Sequence, residues 1–183
     1  EAIAKIGENM NLRRTETVSV SDGVVESYVH NAVKPGLGKI GILVALESTG
    51  DKAALSALGK QLAMHIAATN PLSIAPEDLD QAVVARERAI ILEQVKESGK
   101  SADIAEKMVD GRMRKYFEEV TLLAQTFVID GETKVRDAIK NAEKDVGAPI
   151  KLTRFVRFAL GEGIEKVETD FAAEVAATAG VKQ

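Results

Sequence analysis

KIGILVALESTGDKAALSALGKQLAMHIAATNP, residues 39 to 71, decides the fold class. Lys39 to Glu47 is rich in β-branched and alternating residues, which predicts a strand. The period then changes: over residues 53 to 69, Leu55, Leu58, Leu62, Ala63 and Ile66 fall on one side of a helix, which Asn70 and Pro71 close. His65 follows Leu62 by three residues and falls on the rim of that apolar stripe. Nothing in the local sequence supplies it with a partner. Taken alone it reads as a partly buried histidine, and its functional reading is a contact for a partner.

Upstream, NMNLRRTETVSV (9–20) and VVESYVH (24–30) predict two further strands, with SDG and KPGLG as the turns between the three. Downstream, Pro76, Glu77 and Asp78 suit the first turn of a new helix, with proline early and acids near the positive end of the dipole. From Leu79 to Glu97 the apolar residues are Leu79, Val83, Val84, Ile90, Ile91 and Val95, set among Arg86, Glu87, Arg88, Glu93 and Lys96. After Gly99 a second helix, Ser101 to about Glu119, carries Ile104, Met108, Val109 and Met113 among many charges. Two narrow-striped helices joined by a short turn predict an antiparallel hairpin that buries its own seam and projects from the body. TLLAQTFVID (121–130) returns to strand character, KVRDAIKNAEKDVG is a helix closed by Gly147, and PIKLTRFVRFALGEG (149–163) is a strand pair or one long strand. KIGENMNLRR and DVGAPIKLTRFVRF share a helix end, a glycine and an extended stretch ending in arginine, a weak internal repeat. Ile164, Val167, Phe171 and Val175 recur at helical spacing, so the C-terminal stretch is expected to be amphipathic.

Composition narrows the function. The 183 residues are 45% hydrophobic and 28% charged, an ordinary globular balance. With no cysteine there is neither a disulfide framework nor a thiolate nucleophile or ligand, which fits a reducing compartment. A net charge of −4 with both signs interspersed offers no broad basic face for nucleic acid, and no apolar run approaches a membrane span. The chain begins without Met, at EAIAKIGENM, in what reads as the last turn of a helix, so a fragment is expected. GLGKIG at 36–41 matches the dinucleotide-binding letters, but the glycines follow Pro35 and lead into a strand, whereas the fingerprint needs a helix opening after them. His30 and His65 have no Ser, Cys or Asp at a recognisable catalytic spacing, and no metal-binding or phosphate-loop motif is present.

KIGENMNLRR, KIGILVAL, QLAMHIAATNP, AEKMVDGRMRKY, QTFVID and above all GEGIEKVETDFAAEVAA occur in an order that resembles bacterial translation elongation factor Ts across nearly the whole chain. The resemblance implies a non-catalytic guanine-nucleotide exchange factor whose partner is elongation factor Tu. It implies no cofactor, no direct nucleic-acid or membrane contact, and a cytoplasmic location. Homodimerisation stays open. The implied fold is α+β, with two related halves of small antiparallel sheets packed by helices and a coiled-coil hairpin inserted in the second. The expected boundaries are 1–58 for one half, 59–76 with 120–163 for the other, 77–119 for the hairpin and 164–183 for a C-terminal helical segment.

By the same resemblance, Ile40, Gly41, His65, Val128 and Ile129 line a pocket that receives a helix of the Tu G domain, with His65 as its polar lip. Ile129 stands where other members can have Met, so an apolar pocket is expected to survive. The family's N-terminal helical module and its T-D-F-V-A-[KR]-N motif are not in this sequence. Thr169, Asp170 and Phe171 repeat three of those letters but continue AAEVAA, so the exchange role is not carried over to them; Asp170 and Phe171 are candidate C-terminal contacts. The competing readings are a protein-binding or dimerisation module without exchange activity, and a nucleotide-dependent enzyme resting on GLGKIG.

Overall fold

The computed structural model describes residues 1–7, 11–97 and 99–164. A short helix α1 (Ala2–Ile6) ends at Gly7 in the left-handed region. Then come strands β1 (Gly23–His30) and β2 (Ile40–Glu47), helices α2 (Lys52–Thr69), α3 (Gln81–Lys96), α4 (Ala102–Val120) and α5 (Val135–Val146), and strand β3 (Lys151–Ala159). The three strands form one antiparallel sheet in the order β1-β2-β3. His30 pairs with Ile40 and Ile40 with Ala159, and a bulge interrupts the β2–β3 ladder between Ala45 and Leu46.

Alternation along β2 decides which way the sheet faces. Ile42, Val44 and Leu46 point to one side and are buried there with Leu55, Leu58, Leu62, Ala63 and Ile66 of α2. Phe127, Val135, Ile139 and Val146 close the same core from the α5 side. Each of the largest of these side chains contributes roughly 1.5–3 kcal/mol by leaving water. Asp51 caps α2 by accepting from Ala54 N–H at 2.7 Å, and Asn70, at φ 48°, ends it before Pro71. Gly59 lets the helix lie close on the sheet, because a Cβ there would stand 2.8 Å from Glu26 Cγ. Gly36, at φ 76°, turns the chain between β1 and β2. GLGKIG is therefore a hairpin turn running into a strand, with no helix N-terminus behind its glycines.

Helices α3 and α4 pack on each other and bury a separate cluster of Ile91, Val95, Val109 and Met113. Arg88 to Asp110 (3.3 Å) and Arg112 to Gln94 (3.1 Å) cross the hairpin on its exposed sides. The hairpin joins the body at its root, where Leu72 N–H donates to Val120 O, Leu122 N–H to Ser73 O and Leu123 N–H to Ile74 O.

Four expectations change. The halves expected at 1–58 and at 59–76 with 120–163 share one sheet and one core, because β2 from the first pairs with β3 from the second. Residues 11–20 form no strand; Arg13 and Arg14 hold them to Glu162, and Glu16 pairs with Arg154. Pro76–Asp78 is an isolated 3-10 turn: Leu79 is extended, and α3, capped by Asp80, starts at Gln81 instead of at Pro76. Residues 121–130 are no strand. Leu122–Ala124 form a 3-10 turn, and the backbone N–H groups of Leu122, Leu123 and Phe127 reach Ser73, Ile74 and Thr133 individually instead of one neighbouring strand. α1 and α5 both end in a glycine at φ 77°, and among the described residues only α5 is followed shortly by a strand.

Candidate partner-docking site

After the buried Phe127 the chain makes a tight turn that leaves Val128 and Ile129 exposed, at 45% and 43%. The turn is held from within. Phe127 N–H donates to Thr133 O (2.7 Å), and Gly131 N–H donates to Phe127 O (2.8 Å). Asp130 Oδ1 accepts from the N–H groups of Glu132 (2.9 Å) and Thr133 (3.0 Å), while Asp130 Oδ2 accepts from the Thr133 hydroxyl. Two large apolar side chains on a turn so fully bonded keep their area in water, as a docking surface requires. Met64 on α2 is also exposed, at 43%.

His65 is not the rim residue its spacing suggests. Its relative exposure is 0%, because the 121–135 segment covers the side of α2 that the sheet leaves open. Its Nδ1 accepts from Val128 N–H at 3.2 Å. A backbone N–H can only donate, so Nδ1 carries no proton and Nε2 does. Nε2–H then donates to Gln125 Oε1 at 2.9 Å, and the ring lies tilted against Phe127 with centroids 5.7 Å apart. Burial lowers the pKa of His65 below its ordinary value, and the bond to Gln125 opposes that shift only in part. The imidazole is neutral, and it pins the turn from beneath.

The other site residues spread over the two sides of the sheet. Ile40 opens β2 on the α2-facing side, where it is half-buried and packs against the core. Because α2 follows β2 after a four-residue connection and runs back along it, its C-terminal half returns to the Ile40 end. Gly41 faces the opposite side, where an added Cβ would meet nothing within 4 Å. His65, Val128 and Ile129 are thus one assembly, Ile40 lies toward the same end, and Gly41 adds only backbone on that side. Asp170 and Phe171 lie outside the described residues. Sequence reading missed Gln125 and Phe127, which hold His65, and Met64. The one signal for Gln125 is a polar residue directly after the apolar run 122–124 and two before the buried Phe127. Among the described residues no group of three or more acids or histidines could hold a metal ion.

Residues 1–162 match the family Elongation factor TS. The chain belongs to the elongation factor Ts family. It is 65% identical over 177 residues to Elongation factor Ts of Rhizobium johnstonii, covering 97% of this chain and 58% of that protein. To Elongation factor Ts of Bartonella henselae it is 60% identical over 179 residues, 98% of this chain and 58% of that protein. The chain therefore spans a little over half the length of these curated relatives.

Proposed function

We propose that this chain forms part of the surface by which an elongation factor Ts binds elongation factor Tu and promotes release of its guanine nucleotide. The observation that carries the reading is the Val128–Ile129 pair, held out in water on a turn pinned by His65. Linkage supplies the mechanism. A protein that binds nucleotide-free Tu more tightly than nucleotide-bound Tu weakens nucleotide binding by the same factor, ~1.4 kcal/mol for each tenfold. No bond is made or broken, so the surface needs shape and rigidity, with no general base or nucleophile. Ile40 belongs to the same pocket, His65 acts from within it, and the hairpin over 77–119 adds a second area of contact as a coiled coil. Asp170 and Phe171 are proposed as further contacts of the C-terminal segment.

Binding to nucleotide-free Tu and the rate of GDP release from Tu test the reading together. Ile129→Ala removes a central apolar contact and should weaken binding by about 1–3 kcal/mol, with the melting temperature of this exposed-site variant unchanged. A chain that neither binds Tu nor accelerates GDP release contradicts the proposal. The second reading, a homodimerisation module without exchange activity, draws on the exposed Ile90, Leu92 and Ile104 of the hairpin. A dimer in solution that leaves GDP release unchanged would favour it.

A further inference from the structure

The polar chain beneath the docking turn does not stop at His65. Gln125 is buried, and its side-chain amide faces two ways. Oε1 accepts from His65 Nε2–H at 2.9 Å, and the Thr69 hydroxyl lies 2.9 Å from the same oxygen. Nε2 donates to the backbone carbonyl of Glu119, in the last turn of α4, at 2.7 Å. The polarity of the whole relay is fixed from its ends. Val128 N–H can only donate and Glu119 C=O can only accept, so His65 has one workable tautomer and the Gln125 amide one workable orientation. The relay runs from Val128 N–H through the imidazole and the amide to the root of the hairpin. It joins α2 to a stretch 60 residues further along the chain, the turn and the end of α4 that precedes it.

Glutamine suits this place for a physical reason. A carboxylate could accept from His65 but could not donate to Glu119 O, and an apolar side chain would leave the buried His65 Nε2–H without its acceptor and Glu119 O without this donor. The backbone of Gln125 is itself fixed. Its N–H reaches Thr121 O (3.2 Å), and its carbonyl accepts from Val135 N–H (3.0 Å), so the side chain starts from an anchored position.

We propose that Gln125 is a positioning residue, whose amide ties the hairpin root to His65 and through it sets the docking geometry of Val128 and Ile129. Gln125 touches no partner. The proposal rests on the reading that these two residues dock elongation factor Tu, and two variants separate the claims. In the full chain, Gln125→Met keeps length and bulk and removes both ends of the bond. Gln125→Glu, measured above about pH 7 where His65 stays neutral, keeps the acceptor toward His65 and replaces the donor toward Glu119 by a second acceptor.

The readouts are amide exchange at Val128, with Val44 and Ile66 as core references, and affinity for nucleotide-free Tu. For Gln125→Met we expect Val128 exchange to rise at least about tenfold more than that of the references, and affinity to fall about tenfold. For Gln125→Glu we expect Val128 protection nearer the original, since the bond that orients His65 survives. Equal acceleration at Val128, Val44 and Ile66 would reduce Gln125 to a general packing role and overturn the proposal. So would unchanged Val128 exchange in Gln125→Met. If Val128 loosens while Tu affinity holds, Ile129→Ala decides. An affinity loss in Ile129→Ala would overturn the positioning claim, whereas no loss there leaves the relay supported and removes the docking reading instead.

Discussion

The body and the hairpin of this chain are built on different terms. In the body, a sheet face, α2 and α5 converge, so Val44, Leu46, Leu55, Leu62, Ile66, Leu122 and Val135 are all at 0% exposure. In the hairpin, two helices have only each other. Their fully enclosed cluster is four residues, and Ile90, Leu92 and Ile104 remain in water. The cross-hairpin Arg88–Asp110 pair is more than half exposed on both partners and adds little. Stability in the body is therefore shared among non-local contacts, whereas in the hairpin it is a seam that can open on its own. The root, where the backbones of 72–74 and 120–123 exchange hydrogen bonds, is where the two regimes meet.

The sharpest way to test that contrast is to make a similar deletion in each region. Leu62→Ala removes an α2 side chain enclosed in the main core, and it should cost about 2–5 kcal/mol of global stability in chemical denaturation. Ile91→Ala removes a comparable volume from the seam. Here the cost should appear as local opening: faster amide exchange at Val109 and Met113, with Val44 and Leu62 nearly unaffected and the main transition shifted by less than about 1 kcal/mol. A shift of the main transition as large as that of Leu62→Ala would show that the hairpin and body unfold as one unit and would end the comparison.

The contrast also explains what the sequence disclosed. Periodicity reports a surface that one element shows to one neighbour. The stripe of α2, the alternation of β2 and the narrow seams of α3 and α4 were legible for that reason. TLLAQTFVID misled because Leu122 and Phe127 are buried without any ladder, their backbone groups being satisfied one at a time by Ser73 and Thr133. NMNLRRTETVSV has strand composition, but side-chain contacts from Arg13, Arg14 and Glu16 take the place of a ladder over its described part. The family was legible from ordered motifs, and the same motifs singled out Val128 and Ile129, which the fold leaves exposed. The role of His65 was not, because its partner Gln125 lies 60 residues away and the relay exists only once 121–135 has folded over α2.

That relay gives the smallest and most local of the expected effects, a dependence on pH. Burial lowers the pKa of His65 in the folded chain, while in the unfolded chain it titrates near its ordinary value of about 6.5. Between those two values the unfolded state holds more protons than the folded one, so stability rises with pH. The contribution is complete above about 6.5 and is lost as pH falls from there through the lower folded value. Protonation at Nδ1 would set that nitrogen, now a donor, against the Val128 N–H donor, so the loss should be concentrated at the turn. Stability and Val128 exchange, measured from pH 7.5 to 5 in the original chain and in His65→Gln, isolate the effect. The original should lose stability below about pH 6.5 and expose Val128 first, and His65→Gln should lack that component while acid titration of carboxylates continues in both. Amide protection at Val109 in the hairpin seam should not follow it. If seam and turn loosen together as the proton enters, the root couples the two regions more tightly than their separate cores suggest.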